Sequence, residues 1–279
     1  MLQNTKGDRL RSIQYRLFLV LTLISAPAIA MAGYSRLQKK IASSDEDIAT
    51  PKYAAKEKTW RKRGELMVEA HEAPLQGASL GMGTLQFKGT VGEPDERKAT
   101  RVRNTDYVVW TTAPTDFYFS RRADGSEDKL AFYQIKQEVL PGALDSAMRA
   151  FAMAASLNEE GVKNRKIAKG YQAIRRASIS SGINASKLNN YSEAYAHFAR
   201  ALDVDSITGK AKVDSMLCYH TGVLLLKDKQ YEQAMNYLEK AINAGYRADK
   251  GRVYCLYFEA ADLCHQGAKG KEMLMKGAE

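Results

Sequence analysis

The sequence predicts a mostly α-helical chain of paired helices interrupted by a small antiparallel β insertion, and three observations predict it. A spaced pattern recurs at an offset of 40 residues: Gly182, Tyr191, Ala194, Phe198 and Ala201, then Gly222, Tyr231, Ala234, Leu238 and Ala241. A third copy is split, with Trp60, Gly64 and Met67 carrying its first half and Ala147, Phe151 and Ala154 its second. Between the halves lie TDYVVWTT, TDFYFSRR and KLAFYQIKQ, which are aromatic, β-branched and alternating in polarity. A fixed period of this size is the signature of stacked supersecondary units. Small residues at set places let two helices approach, and the Tyr and Phe or Leu positions fill the seam. Alternation with a period of two belongs to strands.

Taken in order, the chain begins with Lys6, Arg9, Arg11 and Arg16, then the apolar run LFLVLTLISAPAIAMA, closing on Ala30-Met31-Ala32. That is the order of a cleaved secretory signal, so residues 1–32 are expected to leave after export, with the cut following Ala32. An uncleaved anchor is the alternative, although the run is shorter than the about 20 apolar residues of a spanning helix. Residues 33–50, ending in SSDEDIAT, read as a polar linker. The repeat domain is expected over 51–279, with an insertion at 74–141. Within the insertion, GASLGMGTLQFKGTVGEPDERKATRVRN reads as a mobile loop carrying the basic cluster Arg97, Lys98, Arg101 and Arg103. A three-strand meander follows at about 105–137, its turns marked by Ala113-Pro114 and Ala123-Asp124-Gly125-Ser126. Three strands need an apolar face covered, so the sheet is expected to pack one side on the repeat helices. A last unit is expected from GRVYCLYFEAADLCHQ and GAKGKEMLMKGAE, without a fixed register.

The spacing of Gly early in a first helix and Ala-x-x-x-Phe-x-x-Ala in a second resembles the tetratricopeptide repeat. The split copy matches the W-x-x-L-G-x-x-Y half of that motif at Trp60 and Gly64, with Arg63 in place of Leu and Met67 in place of Tyr. The resemblance implies a helix-pair superhelix whose first helices line a concave, partner-binding groove. Counting from the Gly positions, Lys58, Arg61, Glu65 and Glu69, then Arg176, Ile183 and Lys187, then Tyr219, Val223, Leu226 and Lys227 should face the groove. Lys58, Arg61, Arg176, Lys187, Tyr219 and Lys227 are the expected binding residues. Chaperone-binding members of the family clamp a terminal carboxylate with Lys and Asn; Glu65 stands where that clamp needs Asn, so the activity does not carry over.

Composition narrows the function. The net charge is +10, and removing residues 1–32 takes about +3 with it, leaving a moderately basic chain. The hydrophobic content of 45% is too high for wholesale disorder. A mixed basic and apolar groove suits a protein or peptide partner with acidic and aliphatic side chains; nucleic acid would ask for denser Arg, Lys and stacking aromatics. The basic cluster of the insertion reads as a solvated face, with an acidic partner or lipid headgroups as the sharper alternatives.

Catalytic-looking strings weigh little. Gly77-Ala78-Ser79-Leu80-Gly81 matches a nucleophile elbow, but a helix and Pro74 precede it where a strand is needed. Asp203, Asp205 and Asp214 imitate a calcium loop that lacks its Gly and fifth ligand, and His71-Glu72 lacks a second His. Cys218, Cys255 and Cys264, with His220 and His265, lack the close cysteine pairs of a zinc site, and Cys218 reads as a packing residue. No metal, no cofactor and no catalysis are expected. The reading is an exported, non-enzymatic scaffold or adaptor of the cell envelope, periplasmic or extracellular. Its rivals are an exported hydrolase with its site in the insertion, to be recognised by groups converging on Ser79 or His71, and a membrane-anchored receptor-like module.

Overall fold

The computed structural model describes residues 34–247 and 249–278, so the expected export segment 1–32 lies outside the described residues. The molecule is mostly α-helical with one small antiparallel sheet. Residues 34–49 form a helix, α1, where a linker is expected. Leu37 and Ile41, one turn apart, sit on Ala70 and Ala143, while the acidic stretch that suggested a linker faces solvent. After a short α2 (Pro51–Ala54) come α3 (Glu57–Glu72) and α4 (Thr84–Thr90), then four strands, β1 (Glu96–Val102), β2 (Thr105–Thr112), β3 (Thr115–Arg121) and β4 (Glu127–Ile135). The remaining helices are α5 (Ala143–Ser156), α6 (Arg165–Lys187), α7 (Tyr191–Ile207), α8 (Ser215–Lys227), α9 (Tyr231–Asn243), α10 (Arg252–Leu263) and α11 (Gly267–Lys276).

Sequence neighbours pack as pairs, α6 on α7, α8 on α9 and α10 on α11. The seam residues are those the spacing selects: Ala194, Ala201, Ala234, Leu238 and Ala241 have no exposed surface. A Cβ at Gly182 would stand 2.4 Å from the Phe198 ring, and one at Gly222 2.7 Å from Leu238 Cγ, so these helices cross where only glycine fits. Each turn within a pair passes through one residue with left-handed backbone, at Asn189, Lys229 and His265. The residue after each donates its N–H five residues back, to the carbonyls of Ala185, Leu225 and Ala261.

The split copy closes across the insertion. α3 packs on α5, and the buried Phe151 ring lies against both Gly64 and Gly170 of α6, which are close enough that a Cβ at either would overlap it. Entry and exit of the insertion meet at one place, because Ala73 and Val139 both pack on the Leu37, Ala70 and Ala143 cluster.

The insertion departs from expectation in three ways. The sheet has four strands in the order β1-β2-β3-β4; β1 takes up the basic segment expected to be a loop. The preceding stretch also contains α4, whose Phe87 sits edge-on to Trp110, Phe117 and Phe119 at 4.8–5.6 Å between ring centroids. The apolar face is therefore covered from within, by Ala78, Met82 and Phe87, not by the repeat helices. Helix α6 touches the insertion at a polar point, where Asn184 Oδ1 accepts from the Tyr133 backbone N–H at 2.7 Å; within the insertion the Thr115 hydroxyl donates to the Pro74 carbonyl at 2.7 Å.

Candidate functional site

A cleft of about 360 Å³ opens between α6 and α8, floored by Phe198 and Leu217. The repeat builds it: Ile183 and Lys187 on α6 stand one period before Val223 and Lys227 on α8, and all four line the cleft. Ile179 and Met216 extend the apolar wall, and Ile183 and Met216 are 39% and 59% exposed, an outlay of apolar surface concentrated on one cleft. Lys187 and Lys227 each fall in the last turn of their helix, where the helix dipole favours a cation. Neither forms an ion pair among the described residues, and the Lys227 ammonium lies 5.2 Å from the centre of the Tyr191 ring.

At the other end Asp214 is already engaged. Its carboxylate caps α8 by accepting from the Leu217 N–H at 3.0 Å and pairs with Arg175 at 2.7 Å. Arg175 also grips the buried Asp205 through two contacts, at 2.7 and 3.0 Å, and Lys210 reaches Asp205 at 3.2 Å. Two of the three aspartates that imitate a calcium loop, Asp205 and Asp214, are thus spent on cations of the protein. Among the described residues no three His, Cys, Asp or Glu side chains gather to hold a metal. The cleft can offer apolar contact plus two lysines for an acidic group.

The other sequence-predicted binding residues do not join this track. Tyr219 is buried, because its ring stacks on Tyr246 at 4.4 Å; the neighbouring His220 lines the cleft in its place. Arg61 is held between Glu57 and Glu65, each at 2.9 Å, and Lys58 is exposed but lies outside the cleft. Arg176 is exposed and lines a different cavity. The groove offsets fail there because α6 is a long helix of 23 residues, and its N-terminal half packs on α3 and α5.

A second region lies around His71. Two cavities of about 370 and 300 Å³ meet at His71, Tyr133 and Ser181, where the sheet adjoins α3 and α6. The smaller also takes in Ser79 and Arg176. His71 Nε2 lies 2.9 Å from Ser181 Oγ, a contact the sequence gives no means of foreseeing, since the two are 110 residues apart. Burial, and the nearby His197 and Arg200, hold the His71 imidazole down to a pKa of about 4, so it is neutral at neutral pH. A serine beside a neutral imidazole is the start of a nucleophile, but among the described residues no further group completes it. Ser181 sits in mid-helix, where backbone N–H groups are committed to helical hydrogen bonds and none is left to stabilise an oxyanion. Among the described residues no carboxylate hydrogen-bonds to His71. The pair ties α3 to α6 beneath the sheet. No protein-family model matches the chain, and no curated protein matches it.

Proposed function

We propose that the protein is a non-enzymatic interaction scaffold of tetratricopeptide-like construction, and that the cleft between α6 and α8 takes a partner segment bearing aliphatic side chains and a carboxylate. The observation that carries this is the convergence of two repeat positions: Ile183 with Val223, and Lys187 with Lys227, come from equivalent places in successive helix pairs and line one cleft. Exposed apolar side chains supply desolvation energy to a partner, at roughly 25 cal/mol per Å² buried. The lysines select for negative charge by a screened, salt-sensitive attraction. Export belongs to the same proposal and rests on the charged, apolar, small-residue order of residues 1–32. No helix among the described residues is long and apolar enough to cross a membrane.

The test is a photo-reactive amino acid placed singly at Ile183, Val223 or Lys58 in the full chain, irradiated in extracts of the source cells. Discrete adducts from Ile183 and Val223, lost when Lys187→Glu and Lys227→Glu are combined, are expected. Adducts from Lys58 alone, or adducts at Ile183 indifferent to the double charge reversal, would overturn the cleft. The hydrolytic rival has the His71 to Ser181 contact in its favour, and an esterase activity of the pure protein that disappears in Ser181→Ala would establish it instead.

A further inference from the structure

We propose that the open edge of β1 is a docking strand on which an acidic, extended segment of another protein adds to the sheet as a fifth strand. The two edges of this sheet are unequal. On the β4 side, the Leu130 N–H donates to the Met82 carbonyl and the Leu130 carbonyl accepts from the Gly81 N–H, both at 2.8 Å. Lys129 forms a bridge to Gly83, and the Tyr133 N–H is taken by Asn184. That edge is plugged by the insertion's own loop and by α6. On the other side, β1 pairs with β2 alone among the described residues.

The register says which groups are on offer. Arg103 and Asn104 form a two-residue turn, so Val102 and Thr105 are the hydrogen-bonded pair that closes it. Hydrogen-bonded pairs then alternate along the ladder, committing Thr100 and Lys98 to β2. The N–H and C=O groups of Arg97, Ala99 and Arg101 consequently point away from the sheet, spaced as an incoming strand requires.

Charge names the occupant. The strand carries Arg97, Lys98 and Arg101, and Arg103 stands in its turn, against Glu96 as its one acid. Arg101 meets Asp106 only at 3.6 Å, with both side chains more than half exposed. Arg97 lies over Trp110 at 4.5 Å and is paired with Glu93 at 2.7 Å, which leaves Lys98, Arg101 and Arg103 as the charges most open to a partner. A second copy of this chain would lay Arg97, Lys98 and Arg101 beside their own counterparts, which is repulsive; an acidic segment neutralises them. The surface is separate from the cleft between α6 and α8 and stands without it. Charge on an edge strand also protects against unwanted pairing, and a strand serving that purpose alone would take no partner.

The probe is a capped octapeptide alternating Glu with Thr, added to the full-length protein and followed by amide hydrogen exchange, with the same peptide carrying Lys for Glu as control. The Glu peptide should bind, slow the exchange of the Arg97, Ala99 and Arg101 amides, and lose affinity at high salt; the Lys peptide should do neither. Ala99→Pro removes one outward N–H at a position an edge strand tolerates, and should weaken binding by roughly tenfold. Lys98→Glu combined with Arg101→Glu should abolish it, with unchanged tryptophan fluorescence reporting an intact sheet around Trp110. Binding without protection of these amides, unaltered binding by Ala99→Pro in a folded protein, or no binding of the Glu peptide at low salt would each overturn the proposal.

Discussion

Asn189 and Lys229 hold the same place in successive helix pairs and share a left-handed backbone, with φ of 65° and 61°. Asn tolerates that region because its side chain is short and polar, whereas Lys bears the full clash of its Cβ, about 1–2 kcal/mol. Lys229 is exposed and forms no ion pair among the described residues. Lys229→Gly should therefore raise the unfolding free energy by on the order of 1 kcal/mol, read as a higher denaturation midpoint, while Asn189→Gly gains less. A drop in stability for Lys229→Gly would mean the turn is not formed as described.

Glycine to alanine inside a helix ordinarily stabilises by up to about 1 kcal/mol. Gly182→Ala should do the reverse, because its Cβ would meet the Phe198 ring at 2.4 Å and the Ala194 carbonyl at 3.1 Å. Overpacking of this kind costs about 1–3 kcal/mol. Gly89→Ala, in α4 with nothing within 4 Å of the added carbon, is the control and should be neutral or stabilising. Melting temperatures of the two variants should move in opposite directions.

Arg175→Ala should be among the more damaging surface-proximal changes. It leaves the carboxylate of Asp205, only 7% exposed, with Lys210 as its remaining cation, and takes a partner from Asp214. Breaking one half of a buried pair costs about 3–5 kcal/mol. Urea titration of Arg175→Ala, Asp205→Ala and the double variant should show the double costing less than the sum of the singles.

Stability should fall with acid through His71. Its folded pKa of about 4 lies below the ordinary 6.5, so between those values the unfolded chain takes up a proton that the folded chain refuses. The contribution is whole above about pH 6.5 and is lost as pH falls toward 4, at up to about 1.4 kcal/mol per pH unit. His71→Gln should flatten that part of the profile in urea midpoints measured between pH 7 and pH 4.5. An unchanged slope would place the acid sensitivity elsewhere.

The helix pairs were legible because their seams are made by residue size at fixed spacing, and Ala194, Phe198 and Ala201 are buried where that spacing puts them. The split pair was legible for the same reason, through Gly64 and Phe151. β1 was not, since Glu96–Val102 buries none of its residues and so carries no apolar alternation. The helix α1 hid behind its charges, its apolar anchorage resting on Tyr34, Leu37 and Ile41 in an otherwise polar stretch. Of the residues expected to bind a partner, Lys187 and Lys227 line the cleft between α6 and α8. Tyr219 does not join them, because its ring stacks on Tyr246, which comes from the loop directly after α9 and obeys no repeat.

The pairing of α3 with α5 across the inserted sheet has a kinetic consequence. The pairs from α6 onward join helices that follow one another directly, and each can form as soon as its short turn is made. α3 and α5 can meet only after the chain between them has been drawn together, and loop closure grows costlier with the length of disordered chain it must span. Because the insertion carries its own aromatic core around Phe87 and Trp110, its collapse shortens that span before the helices dock. Assembly should therefore run from the C-terminal pairs and the sheet inward, with Trp110 buried before Trp60 and the α3–α5 seam closing last.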